Sequence, residues 1–224
     1  MQEILNLDRN LTLCLNGSHS LMTDGAIYMA TQTLTWIPLG LLLLYIVFRN
    51  GGIRMLWMVL LMILLGIFIS DQLSSSIVKP LAARFRPTND PQLMYLVDIV
   101  NNYRGGKYGF FSAHASNTFT VAVFLTLLFR HRRVGVLLLS WAVLNCYTRV
   151  YLGVHYVGDI LVGTLVGILI GFLIYRLYSS HKPSAELLNT VERTTPSGFR
   201  LSDMNVLSAC ILLTYCALFI FPLF

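Results

Sequence analysis

Charge is what this 224-residue chain has least of: Lys, Arg, Asp and Glu make up 12% of it, about half the share of a typical water-soluble domain. Two stretches, Gly25 to Phe48 and Met204 to Phe224, carry none at all. Each is long enough to cross a hydrocarbon core, which takes about 20 helical residues. A soluble globular fold is excluded. Cysteine offers no scaffold either. Cys14, Cys146, Cys210 and Cys216 form no CxxC pair and the last three fall in apolar runs, so neither a disulfide framework nor a metal site is expected. A cleavable signal sequence is missing too, because Glu3 and Asp8 stand where positive charge belongs and the first apolar run is too long; the N-terminus is expected to be retained. No internal repeat is evident.

What remains is apolar, at 56% hydrophobic residues. Between the two charge-free stretches lie Met55 to Val78, interrupted only by Asp71, then Ala115 to Phe129, Val134 to Thr148 and Ile160 to Tyr175. An all-α polytopic membrane protein with six transmembrane helices is predicted. The middle runs reach spanning length only by extending into their polar flanks, which places those flanks at helix ends near the membrane surface. In "ILNLDRNLTLCLN" the residues Ile4, Leu7, Leu11 and Leu15 recur at helical spacing against Glu3, Asp8, Arg9 and Asn10, predicting an interfacial helix within residues 1–24. Residues 179–203, polar with two prolines and a glycine, read as a linker, so that 1–224 forms one membrane-embedded domain.

The formal charge of +6 does not point to nucleic acid, because the basic residues sort by loop. Arg49 and Arg54, then "RHRR" with Arg130, Arg132 and Arg133, then Arg176, Lys182, Arg193 and Arg200 share one face of a six-helix topology. The positive-inside rule makes that face cytoplasmic. The long 79–111 loop and the short turn with His155 then face outward, although this loop is itself basic through Lys79, Arg84, Arg86, Arg104 and Lys107.

Three polar clusters fall at that outer face. In "KPLAARFRP" a helical register would put Lys79 and Arg86 two turns apart on one side. In "FFSAHASNTF" Ser112 can cap the third span, leaving free N–H groups there, with His114 in the first turn. In "TRVYLGVHYVGD" Arg149 closes the fourth span, Gly153 permits a turn, and His155 and Asp159 stand four apart at the start of the fifth. Singly, each has an ordinary explanation: snorkelling cations, a structural histidine, a helix-stabilising pair. Asp71, Asn117 and Thr118 are also read as structural or left open. Together, three cations, a helix N-terminus, two histidines and an aspartate are what an anion site requires. Phosphate ester cleavage needs cations and N–H donors on the equatorial oxygens, which Lys79, Arg86, Arg149 and the amides near Ser112 can supply. It also needs a nucleophile and a proton shuttle. His155 held by Asp159 fits the first role and His114 the second.

These motifs resemble the type 2 phosphatidic acid phosphatase superfamily, which includes class A acid phosphatases and vanadium haloperoxidases. "KPLAARFRP" matches its Lys, six residues, Arg-Pro pattern; "FSAH" is similar to Pro-Ser-Gly-His; "TRVYLGVHYVGD" matches Ser-Arg, five residues, His, three residues, Asp. Phe111, Ala113 and Thr148 depart from the pattern without removing a catalytic side chain. The resemblance implies an acid-phosphatase-like helical bundle and a metal-independent phosphatase with no cofactor and a phosphohistidine intermediate. It implies His155 as nucleophile, Asp159 as its orienting partner and His114 as acid and base, with Lys79, Arg86, Ser112, Ala113 and Arg149 binding phosphate. A phosphate-bearing lipid in the bilayer is the expected substrate: undecaprenyl diphosphate, a lipid A phosphate, phosphatidylglycerol phosphate or phosphatidic acid. A bacterial inner-membrane location is expected, with the site facing outward. A non-enzymatic lipid or anion transporter is the alternative; a metal hydrolase built on His114, His155 and Asp159 is opposed by the surrounding cations, and haloperoxidase chemistry by the membrane setting.

Overall fold

The structure, a computed structural model, describes residues 2–18, 20–181 and 194–220. Among them, helix is the only extended regular element, as expected where lipid offers no partner to an unpaired backbone group. The helices are α1 (Gln2–Leu15), α2 (Leu21–Thr31), α3 (Thr33–Asp71), α4 (Lys79–Ala82), α5 (Ala113–Phe129), α6 (Arg132–Tyr151), α7 (Val157–His181) and α8 (Leu201–Ile220). A π-helical turn, Gln72–Val78, joins α3 to α4 without a break. Thr33–Ala82, Arg132–Tyr151, Val157–His181 and Leu201–Ile220 are long and apolar enough to cross a membrane, and α5 is a shorter apolar helix of 17 residues. The protein is a multi-pass membrane protein.

Two helix boundaries differ from the sequence expectation. The uninterrupted run Gly25 to Phe48 is broken at Gln32, whose backbone is extended (φ −78°, ψ 131°). The carbonyls freed at the end of α2 are taken by the Thr35 hydroxyl on Met29 O (2.7 Å) and the Trp36 indole on Ala30 O (2.8 Å). Hydropathy does not register such a break. Within α3, Gly52 leaves the helical region at φ 66°, ψ −171°. Only glycine enters that region readily, so the chain has one swivel inside its longest apolar stretch.

Helix α5 is central and packs against α7, α6 and α3. The α5–α7 seam is the tightest. A Cβ placed on Gly163, Gly167 or Gly171 would lie 2.6, 2.4 and 2.7 Å from the carbonyl oxygens of Ser112, Ser116 and Thr120. Glycine every fourth residue lets the two backbones meet directly. The core around this seam includes Phe119, Phe124, Leu128, Leu138, Met204 and Ile211.

The ends of the bundle differ in character. At one end gather the start of α5, the end of α6 and the start of α7, covered by the 83–112 loop. At the other, Asp203 of α8 accepts from Arg49 and Asn50, both at 2.7 Å, and Ser197 donates to Phe129 O. Most of the expected 179–203 linker lies outside the described residues; of the rest, 179–181 continue α7 and 201–203 open α8.

Helix α1 is amphipathic, with its apolar residues turned outward. Ile4, Leu7, Leu11 and Leu15 are exposed, while Asp8 and Thr12 face α7 and the loop.

Candidate active site

The site is built where α5, α6 and α7 end together. Leu152 follows α6, Gly153 turns the chain at φ 67°, and His155 donates its backbone N–H to Arg149 O (3.2 Å). His155 therefore stands two residues ahead of α7, not on it, and only Asp159 lies in the helical first turn. The two side chains still meet, with His155 Nδ1 3.3 Å from Asp159 Oδ2. Tyr156 N–H also donates to that oxygen, at 3.2 Å.

The other face of the imidazole identifies its proton. Arg86 NH1 lies 3.0 Å from His155 Nε2, and a guanidinium can only donate. Nε2 is therefore the acceptor, and the ring proton sits on Nδ1, toward Asp159. This is a neutral imidazole with its free lone pair at the phosphate side. Burial pushes His155 down to about 4 from 6.5; the Asp159 hydrogen bond opposes this and the Arg86 charge reinforces it.

The expectation that Lys79 and Arg86 share a helix is corrected. The helix ends at Ala82, Ala83 adopts a left-handed conformation (φ 45°, ψ 27°), and Arg86 is extended. An isolated antiparallel bridge between Phe85 and Tyr108 aims Arg86 inward instead. There it donates to Val154 O (2.9 Å) and Tyr108 O (3.2 Å). Lys79 is half-buried, donates to Ser75 Oγ (3.3 Å), and lies in the electrostatic field of Arg86, Asp71 and Asp159. Asp71 accepts from the same Ser75, so it steadies Lys79 through a hydroxyl.

Ser112 is the N-cap of α5, its hydroxyl accepting from Ala115 N–H (3.3 Å) and its own N–H donating to Asp159 O (3.1 Å). Of the amides at this helix start, those of Ala113 and His114 remain ahead of the first intrahelical bond. Arg149 is buried; NH1 donates to Tyr103 OH (3.0 Å) and Nε to Thr148 Oγ1 (3.2 Å). Arg149 NH2 and His114 Nε2 are buried with no hydrogen-bond partner among the described residues. Asn117 Oδ1 is likewise unpartnered, while Thr118 bonds the α5 backbone. His114 and His155 lie within each other's electrostatic reach, as do Arg86 and Arg149.

Several residues here escaped the sequence reading as site members. Gly109 faces the dyad so closely that a Cβ would lie 2.9 Å from Asp159 Oδ2 and 3.5 Å from His155 Nδ1. Arg84 donates to Asp159 Oδ1 (2.8 Å) and Asp8 Oδ2 (2.6 Å) with its guanidinium 3.9 Å over the Tyr156 ring. No group of three or more His, Cys, Asp or Glu side chains arranged for a metal occurs among the described residues.

Residues 55–183 match the PAP2 superfamily model, and the chain belongs to that superfamily. It is 38% identical over 178 residues to a lipid A 4'-phosphatase of Porphyromonas gingivalis, covering 80% of this chain and 75% of that protein. It is 39% identical over 183 residues to a lipid A 4'-phosphatase of Bacteroides thetaiotaomicron, covering 81% and 80%. The fold is similar to the crystal structure of a transmembrane PAP2-type phosphatidylglycerolphosphate phosphatase from Bacillus subtilis, with a TM-score of 0.58 and 23% identity over 81% of this chain and 89% of that one.

Proposed function

We propose that the chain, a membrane lipid phosphatase by its family and its relatives, removes a phosphate from a lipid A-type glycolipid through a phosphohistidine on His155. The observation that carries the reading is the tautomer of His155, held between Asp159 on Nδ1 and a cationic donor on Nε2. An incoming phosphate offers Arg86 a better acceptor, which releases the Nε2 lone pair at the moment phosphorus arrives. The lipid class is supported by the two lipid A 4'-phosphatase relatives, each aligned over about four-fifths of the chain.

In the first step Nε2 attacks phosphorus, the P–N bond forms and the bond to the lipid oxygen breaks. His114 donates a proton to that leaving oxygen. In the second step His114 takes a proton from water, the resulting hydroxide attacks phosphorus, the P–N bond breaks and inorganic phosphate leaves. Arg86, Arg149, Lys79 and the amides of Ala113 and His114 hold the equatorial oxygens throughout. Neither step routes through a metal or a cofactor.

Topology follows from length. Thr33–Ala82 is 50 residues, about 75 Å as a straight helix, against a hydrocarbon core of about 30 Å. A reversal at Gly52 turns it into two spans, and α5, α6, α7 and α8 complete six. The basic end with Arg49 and "RHRR" is then cytoplasmic, and the His155 end faces the periplasm of a bacterial inner membrane.

The test is phosphate release by detergent-purified protein from a lipid A phosphate, undecaprenyl diphosphate, phosphatidylglycerol phosphate and phosphatidic acid, with EDTA present and folded His155→Ala alongside. Release from lipid A that survives EDTA and vanishes in the variant is expected. Binding without release from any of the four would favour the transporter.

A further inference from the structure

Helix α1 lies outside the residues that match the family model, yet two of its side chains reach the base of the His155–Asp159 dyad. Asp8 Oδ1 accepts from Gly158 N–H at 2.7 Å, and Thr12 Oγ1 accepts from Val157 N–H at 3.1 Å. Val157 and Gly158 open α7, where the first amides have no acceptor inside their own helix. Side chains from a distant helix thus cap the one that carries Asp159.

The second oxygen of Asp8 does something a cap does not require. It accepts from Arg84 NH2 at 2.6 Å, on the opposite side of the guanidinium fork from NH1, which holds Asp159 Oδ1 at 2.8 Å. Asp159 is fully buried, and the Arg84 and Asp8 side chains are only 23% and 13% exposed. In such a setting charges act strongly on their neighbours. Arg84 alone would compete with His155 for the carboxylate's charge, being the shorter and ionised donor. With Asp8 on its far side, it fixes one oxygen of Asp159 while its charge is offset, leaving Oδ2 to the Nδ1–H of His155.

We propose that Asp8 is a positioning residue for the reaction: from α1 it balances Arg84, so that Asp159 is anchored without losing its hold on His155. The inference rests on His155 being the nucleophile. The charged and titratable groups around His155 are Asp159 of α7, Lys79 of α4, Arg86 of the loop, His114 of α5 and Arg149 of α6, with Arg84 and Asp8 behind Asp159. Asp8 is the member of this set that comes from α1.

Asp8→Asn keeps an oxygen for Gly158 and removes the charge. Its kcat should fall about tenfold with KM within about twofold of wild type, as expected when the group behind a functional residue is lost. The acid limb of its kcat/KM profile should move to lower pH, because an unbalanced Arg84 opposes a proton on His155. Asp8→Glu, which restores the charge, should recover part of kcat. Thr12→Val removes an α1–α7 bond without touching charge and should lower the melting temperature while leaving the acid limb in place. An unchanged kcat and acid limb in Asp8→Asn, or equal displacement of that limb by Thr12→Val, would overturn the proposal. Nitrogen-15 shifts of histidine-labelled wild type add a readout that needs neither variant nor substrate. A proton on Nδ1 of His155 is expected, and one on Nε2 breaks the chain of contacts through which Asp8 acts. Failure of wild type to release phosphate from any lipid would sink the catalytic reading instead, while the His155 titration in Asp8→Asn would still judge the positioning.

Discussion

His155 is a buried imidazole with a cationic donor on one nitrogen and a carboxylate on the other, and its titration follows from that. Its pKa is pushed down to about 4 from the ordinary 6.5, so the nucleophile stays neutral as pH falls through 6 and 5. The acid limb of kcat/KM should fall near pH 4, measured with a substrate whose own ionisation is held constant. Stability carries the opposite cost. Between 6.5 and 4 the unfolded chain binds a proton on this residue that the folded chain refuses, so acidification across that window should lower the unfolding temperature; above 6.5 the contribution is flat. Arg86→Lys keeps the charge but loses the fork that reaches Val154 O, Tyr108 O and His155 together. A loss of about a hundredfold in kcat/KM is expected, measured on the same lipid. At this scale the sequence was informative because a charge in an apolar chain is conspicuous, so Lys79, Arg86, His114, Arg149, His155 and Asp159 stood out. Gly109 did not, since a glycine in a loop announces nothing about what it lies against. Asp8 and Arg84 did not either, because their contacts with the α7 start bridge 150 and 75 positions of chain.

Among the helices, α7 carries the most specific packing. Gly167→Val would drive two methyl groups against Ser116 O, where even a Cβ lies at 2.4 Å. A destabilisation of about 1–3 kcal/mol is expected, read by thermal unfolding in detergent, together with lost activity because His114 and Asp159 ride on opposite sides of that seam. The repeat Gly163, Gly167, Gly171 was present in the sequence as a small-residue stripe, yet hydropathy counts it only as part of a long apolar run. Helix existence was legible for that same reason: enough apolar residues in a row must form a helix in lipid. The breaks at Gln32 and Gly52 were not, since one depends on a hydroxyl and an indole capturing carbonyls and the other on a single dihedral. Helix α1 was expected from its periodicity, but its charged side serves the protein and not water. Replacing Leu7 and Leu11 by serine alters only the outward face. Activity on lipid vesicles should drop, while activity on substrate dispersed in detergent should hold, compared side by side.

For the molecule as a whole, the proposed orientation places Cys14 of α1 outside the cell membrane and exposed. A membrane-impermeant maleimide added to intact spheroplasts should modify Cys14, and loss of that labelling in Cys14→Ser would show that the other three thiols are shielded. Labelling only after permeabilisation would reverse the topology. The two ends of the bundle do different work: one joins Arg49, Asn50 and Asp203 in a polar clasp, and the other gathers the reacting groups. Between them runs the glycine seam, and it has a mechanical consequence. Where side chains separate two helices, a change in bilayer thickness or temperature can be absorbed by rotamers, and the spacing of anything mounted on those helices drifts. Here backbone rests on backbone at three successive turns, so α5 and α7 behave as a single rigid strut. The proton shuttle and the nucleophile are mounted at the same tip of that strut, and the surrounding helices can tilt with the membrane without changing the gap between them.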